Sequence, residues 1–143
     1  MDYNSWKFRG QRIDTKEWVI GYYIHYGSIH GIIPIESLKY TCNGEALDFN
    51  YINVNPDTVG IYLELDDINC VEVYQYDKCV VTAKDRYIHE NILLRRGDTF
   101  TGIIRMSDFR WVVQDKKFFF ESISIYDIIY ENMDIEVVGT VFD

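Results

Sequence analysis

From Glu17 to Ile24 the chain reads Glu-Trp-Val-Ile-Gly-Tyr-Tyr-Ile, with Trp18, Ile20, Tyr22 and Ile24 at alternate positions and Val19, Gly21 and Tyr23 between them. A period of two places these sets on opposite faces of a half-buried strand. Just upstream lie Phe8-Arg9-Gly10-Gln11-Arg12-Ile13 and the polar trio Asp14-Thr15-Lys16. Strand chemistry on both sides of turn chemistry predicts a β-hairpin. Gly21, inside the strand run, predicts a bulge or a close backbone approach.

The same alternation of short apolar runs and turn residues continues along the chain. Gly27-Ser28-Ile29-His30-Gly31 reads as a turn before the short strand Ile32-Ile33-Pro34-Ile35. Pro34 cannot donate to a ladder, so this strand belongs on an edge or ends in a bend. Residues 41–58 are polar and irregular, and Val59 to Leu65 returns to strand. Asp66-Asp67-Ile68-Asn69 is a turn of solvated acids, followed by Val71-Glu72-Val73 and the apolar run Cys79-Val80-Val81. Ile92-Leu93-Leu94 ends at the turn Arg96-Gly97-Asp98. Thr101–Met106 and Phe109–Gln114 flank Ser107-Asp108 as a second hairpin, in which Phe109 and Trp111 share a core face opposite Arg110. Phe118-Phe119-Phe120 reads as a buried strand segment. Ile125, Ile128 and Ile129 have helical spacing, with Ser122 or Ser124 as cap. Ile135 to Phe142 is a last strand.

Twelve tyrosines and eight phenylalanines, with only two prolines, favour strands over helices. The expected fold is mostly β, with two linked β subdomains and at most one or two short helices. A length of 143 residues buries enough surface to fold without disulfide or metal. The expected division is an N-terminal β subdomain over 1–70 and a C-terminal one over 71–143, within one compact unit or as two, with the charge shift placing it in 66–77.

Charge is segregated. Formal net charge is −9. No Lys or Arg lies between Lys39 and Lys78, and none lies in 118–143. Residues 78–117 hold nine basic residues against five acidic ones. The bland account is charge scattered on solvated strand faces. The sharper one is a nucleic-acid patch built from Lys84, Arg86, Arg95, Arg96, Arg105 and Arg110, or a charge-complementary surface for self-association.

Catalytic and cofactor motifs do not emerge. There is no GxSxG elbow, no phosphate-binding glycine loop and no CxxC pair. His25 and His30 fall on either side of the hairpin turn's tip and can meet across it, without a Cys or acid close in sequence to complete a metal site. Cys79 sits in an apolar strand as a small hydrophobe, while Cys42 lies in a polar loop. No cofactor or catalytic residue is assigned. An N-terminal stretch without an apolar run gives no signal peptide, and no segment has the length of a membrane span. Odd, unpatterned cysteines suit a reducing cytoplasm.

Several motifs, in one order, resemble the YopX family of phage and prophage proteins. Phe8-Arg9-Gly10-Gln11-Arg12, then Glu17-Trp18-Val19-Ile20-Gly21-Tyr22, is similar to that family's opening. Ile32-Ile33-Pro34-Ile35 and Val54-Asn55-Pro56-Asp57-Thr58-Val59-Gly60-Ile61-Tyr62 follow, the latter similar to its V-x-P-E-T-V-G-x-Y stretch. Glu72-Val73-Tyr74-Gln75-Tyr76-Asp77 stands where it has E-I-Y-E-G-D-I-V, and Val137-Val138-Gly139-Thr140-Val141-Phe142 resembles its closing V-I-G-N-I-Y. Two usual glycines are replaced here, by Cys70 and Tyr76. Both turns must change geometry or tolerate strain, because positive φ penalises a side chain. The resemblance implies an accessory protein of phage, prophage or bacterial host, with an SH3-like barrel character in its later half. The lack of catalytic groups and the segregated charge lead us to expect action in the host cytoplasm through homo-oligomers or a host or phage protein, with nucleic acid as the alternative partner, and the lack of an apolar span leads us to expect no membrane.

Overall fold

The computed structural model describes residues 7–38, 50–115 and 121–143. It is mostly β, with antiparallel sheets and two short helices. No helix among the described residues is long and apolar enough to cross a membrane. The chain divides into two units, Met1–Glu64 and Leu65–Asp143. The division falls inside a strand, where Glu64 takes a φ of 58°, slightly upstream of both the 66–77 interval and the 70/71 boundary. Residues 39–49 and 116–120, which include Cys42 and the Phe118–Phe120 run, lie outside the described residues.

The first unit is built on the expected hairpin. Strand β1 (Phe8–Gln11) pairs antiparallel with β2 (Trp18–Tyr26), and Phe8 stands opposite Gly21. Arg12 holds the turn through two 2.9 Å bonds to Asp14. The face carrying the smaller side chains is the buried one. Val19 packs with Ile32 and Val54, and Tyr23, Ile52 and Val59 lie against them. The opposite face is half covered: Ile20 is 39% exposed, and the Arg9 guanidinium lies 4.4 Å over the Trp18 ring. Gly21 serves a close approach. A Cβ there would stand 1.9 Å from the Ile33 carbonyl oxygen, so no side chain fits.

Strand β3 (Ile29–Pro34) pairs with β2, and the connecting turn is only Gly27-Ser28. His30, expected in the turn, is therefore a strand residue opposite His25. Pro34 ends β3 and hands the chain to α1 (Ile35–Leu38), the bend expected of it. Strand β4 (Ile52–Asn53) borders β3, and β5 (Gly60–Asp66) borders β1. The order within this unit is β4-β3-β2-β1-β5.

In the second unit β6 (Glu72–Tyr74) turns tightly into β7 (Asp77–Thr82). The two-stranded pair β8 (Tyr87–His89) and β9 (Ile92–Leu94) follows. Then come the long hairpin of β10 (Thr99–Ser107) and β11 (Arg110–Gln114), β12 (Ser122–Ser124), helix α2 (Ile125–Tyr130) and β13 (Asp134–Thr140). The main sheet is ordered β12-β11-β10-β7-β13. Alternate residues point inward: Cys79 and Val81, Phe100 and Ile104, Val113, Ile123 and Ile135 are all buried. Ser124 caps α2 by accepting the Asp127 N–H at 3.0 Å. Of the helical triad only Ile128 is buried, while Ile129 faces solvent.

The hairpin register corrects one expectation. Ser107 pairs with Arg110, so the turn residues are Asp108 and Phe109. A shift of one residue moves Phe109 off the strand and out of the core. Its ring is 100% exposed.

Asp67 is a second correction. It is buried, not solvated. Its Oδ1 accepts the N–H groups of Asn69 and Val71 at 2.8 and 2.9 Å, which shapes the 67–71 turn. Its Oδ2 accepts the Val137 N–H at 2.9 Å, beside the irregularity between Val137 and Gly139 in β13. The Ile68 N–H donates to the Ile135 carbonyl. The outer edge of β13 is thus occupied by the turn. Burial alone would raise the carboxyl pKa, but the three N–H donors from Val137, Val71 and Asn69 outweigh it and hold it below the ordinary 3.8.

The two turns lacking glycine take the strained option, with φ of 61° at Cys70 and 74° at Tyr76. At Cys70 the Asp67 bonds enforce the shape, and the Cys70 N–H closes onto the Asp67 carbonyl. At Tyr76 the backbone is held from both sides. Its N–H donates to Ile104 and its carbonyl accepts from Val141, each at 3.0 Å. Tyr74 N–H donates to the fully buried Asp77 carboxylate across the same turn.

Three outcomes follow for stability. Asp67→Ala leaves three donors without their acceptor and costs about 2–4 kcal/mol in urea unfolding. Because the folded pKa of Asp67 is lowered, its stabilisation is complete above the ordinary carboxylate pKa and is lost as pH falls through the folded value. Asp67→Asn therefore flattens the acid limb of the stability profile below about pH 4. Cys70→Gly relieves an exposed left-handed residue and changes stability by about +0.5 to +1 kcal/mol. No gain would show that the turn carries no strain.

Candidate functional site

Three turns of the second unit converge on a polar cavity of about 200 Å3. The β8–β9 turn supplies His89 and Glu90, and the β10–β11 hairpin supplies Ser107, Asp108 and Arg110. The β12–α2 junction supplies Ser122, Ser124 and Asp127, with Val112 beside them. In an antiparallel pair, opposed residues share a face, so the Ser107–Arg110 and Val112–Ser124 pairs all project to the cavity side of the sheet.

Local strain gathers at this rim. Glu90, Asp108 and Phe109 have φ of 50°, 49° and 63°. Positive φ at both central residues of a two-residue hairpin loop is the primed geometry that favours Asn-Gly. Asp108 suits the first position, but Phe109 occupies the glycine position at about 1 kcal/mol. Among the described residues of the second unit nothing repays that cost, because Phe109 is 100% exposed.

The charges differ in how firmly they are held. Tyr87 is buried and donates its hydroxyl to Asp127 Oδ2 at 2.7 Å. Burial, the bond to Asp127 and the charges of Asp127, Glu131 and Glu90 push the Tyr87 pKa upward. Asp127 is thereby anchored in place. Glu90 makes one loose contact, 3.7 Å from His89 Nε2. Arg110 is exposed at the hairpin. Ser124 Oγ is engaged as a helix cap. A nucleophile–base pair needs a hydrogen bond between the two groups, and the described residues contain none between His89 and a serine of this cavity.

The six basic residues fall into two groups. Lys84, Arg86, Arg95 and Arg96 are exposed on two loops joined by backbone bonds, Ala83 N–H to Asp98 and Gly97 N–H to Ala83. Lys84 pairs with Asp134 at 3.1 Å. Arg105 lies six residues along β10 from Thr99, roughly 20 Å at strand rise, and lines a separate hollow of about 380 Å3 with Lys78. Arg110 belongs to the polar cavity. The register does not join all six into one strip.

In the first unit His25 and His30 do meet. Their rings stack with centroids 4.2 Å apart, and Tyr23 hydroxyl bonds His30 Nδ1. Ring lone pairs lie in the ring planes, so two stacked imidazoles do not converge on one point, as a chelate requires. Among the described residues no group of three or more His, Cys, Asp or Glu is placed to hold a metal ion.

Sequence reading missed the cavity because its residues come from three turns. The signal available was the pairing of Asp108 with Phe109 where a primed turn wants Asn-Gly. The molecule belongs to the class of two-unit antiparallel β proteins with a polar cavity framed by turns. No family model, curated protein or solved structure matches the chain.

Tyr87→Phe frees one Asp127 oxygen and costs about 1–2 kcal/mol. In alkaline titration followed at the phenolate absorbance, Tyr87 ionises after the exposed tyrosines have titrated. The Tyr87→Phe variant lacks that late step.

Proposed function

We propose that the chain is a non-enzymatic accessory protein of the YopX-like phage and prophage type, acting through self-assembly or protein binding in a bacterial host. The observation that carries this reading is Phe109, a fully exposed aromatic ring on a turn position that favours glycine. Backbone strain kept without internal compensation marks contact surfaces, and buried aromatic anchors dominate protein interfaces. Met106, Tyr126, Ile129 and Tyr130 add exposed apolar surface in the same unit. The SH3-like character that the family resemblance implies for this half supports the reading by analogy of fold alone, since such barrels commonly bind proteins.

A nucleic-acid reading retains a smaller footprint in Lys84, Arg86, Arg95 and Arg96, whose loops are tied together. It requires binding that weakens steeply with salt.

Two differently tagged copies, co-expressed in phage-induced cells and purified through one tag with and without nuclease, separate these readings. Recovery of the second copy, or of a defined phage or host protein, after nuclease treatment is the expected result. Recovery of nucleic acid with loss of protein on treatment moves the basic loops to the front. A single tagged copy recovered alone in both arms ends the assembly reading.

A further inference from the structure

We infer that the hairpin tip at Asp108-Phe109 and the cavity beside it form the contact by which two copies of this chain pair about a two-fold axis. The inference rests on the self-assembly reading and names its surface. A two-fold contact uses the same patch twice, so the patch must complement itself. This one does. It has an apolar centre, Phe109, 100% exposed. It carries a cation, Arg110, and anions at Glu90, Asp108 and Asp127, all lining one cavity. A purely acidic partner would meet the three carboxylates and a purely basic one Arg110, whereas a second copy turned through half a revolution offers both signs.

The pairing is specific about which carboxylate is used. Asp127 Oδ2 is already committed to the Tyr87 hydroxyl at 2.7 Å. Glu90 contacts His89 Nε2 at 3.7 Å, and its side chain is 74% exposed. Arg110 of one copy therefore meets Glu90 of the other, and the two Phe109 rings pack at the centre. The whole chain carries −9, so two copies repel at long range. Association then depends on the local match, and weakening that match has a large effect.

The turn makes the test clean. Glycine is the residue this φ favours, so Phe109→Gly deletes the ring while easing the backbone. Sedimentation velocity over a concentration series is run on the full chain and on three variants: Phe109→Gly, Arg110→Glu, and Arg110→Glu combined with Glu90→Arg. Thermal melts accompany each. The expected result is a wild-type dimer, with dissociation constants at least tenfold weaker in Phe109→Gly and in Arg110→Glu. Association is restored in the double variant, and the Phe109→Gly melting temperature is equal to or above that of the wild type. A dimer unchanged in both single variants overturns this surface while leaving self-assembly standing. A wild type that stays monomeric throughout overturns the surface and the self-assembly reading together. Failure of the double variant to recover, with both singles impaired, overturns the Arg110–Glu90 pairing.

Discussion

The carboxylate of Asp67 is the hinge of the second unit's construction. One buried side chain satisfies three backbone N–H groups, two in its own turn and one in β13. It shapes the turn, seats Cys70 in the left-handed region, and fastens the strand at the sheet's border. That border would otherwise present unpaired N–H and C=O groups to any passing strand. The turn over residues 67–71 covers it, and the irregularity between Val137 and Gly139 adds a local twist.

Strain is spread over the described residues, with eight non-glycine residues at φ between 49° and 74°. Nine glycines are few for so many turns. At two of these positions the cost of about 1 kcal/mol has a counterpart described above. Asp67 shapes the turn at Cys70, and paired backbone bonds hold Tyr76. Among the described residues of its unit the Phe109 turn has no such counterpart, and its ring is fully exposed as well.

Much of the architecture was legible because period-two alternation and turn chemistry are local signals. The Phe8–Ile24 hairpin, the role of Gly21, the Ser124 cap and the buried Cys79 were all readable from neighbours in sequence. Errors arose where one residue of register mattered. Counting Phe109 into β11 gave it a core face, whereas the 107–110 pairing places it in the turn. Asp67 looked solvated because its third donor, Val137, lies 70 residues away. No local pattern announces such a partner. The cavity was illegible for the same reason: Glu90, Arg110 and Asp127 approach only once three separate turns are in place.

The span between Asp67 and Val137 also orders events during synthesis. Strands β1 to β5 pair with one another, so that part of the sheet can assemble while the ribosome is still making the rest. Strand β7 must wait for β10 and then for β13, and Asp67 waits longest. Until Val137 clears the exit tunnel, an aspartate bound for the interior stays hydrated and the flank of β7 lies open. The nascent second unit is then most open to unwanted strand pairing, and a pause in translation ahead of β13 would prolong that exposure.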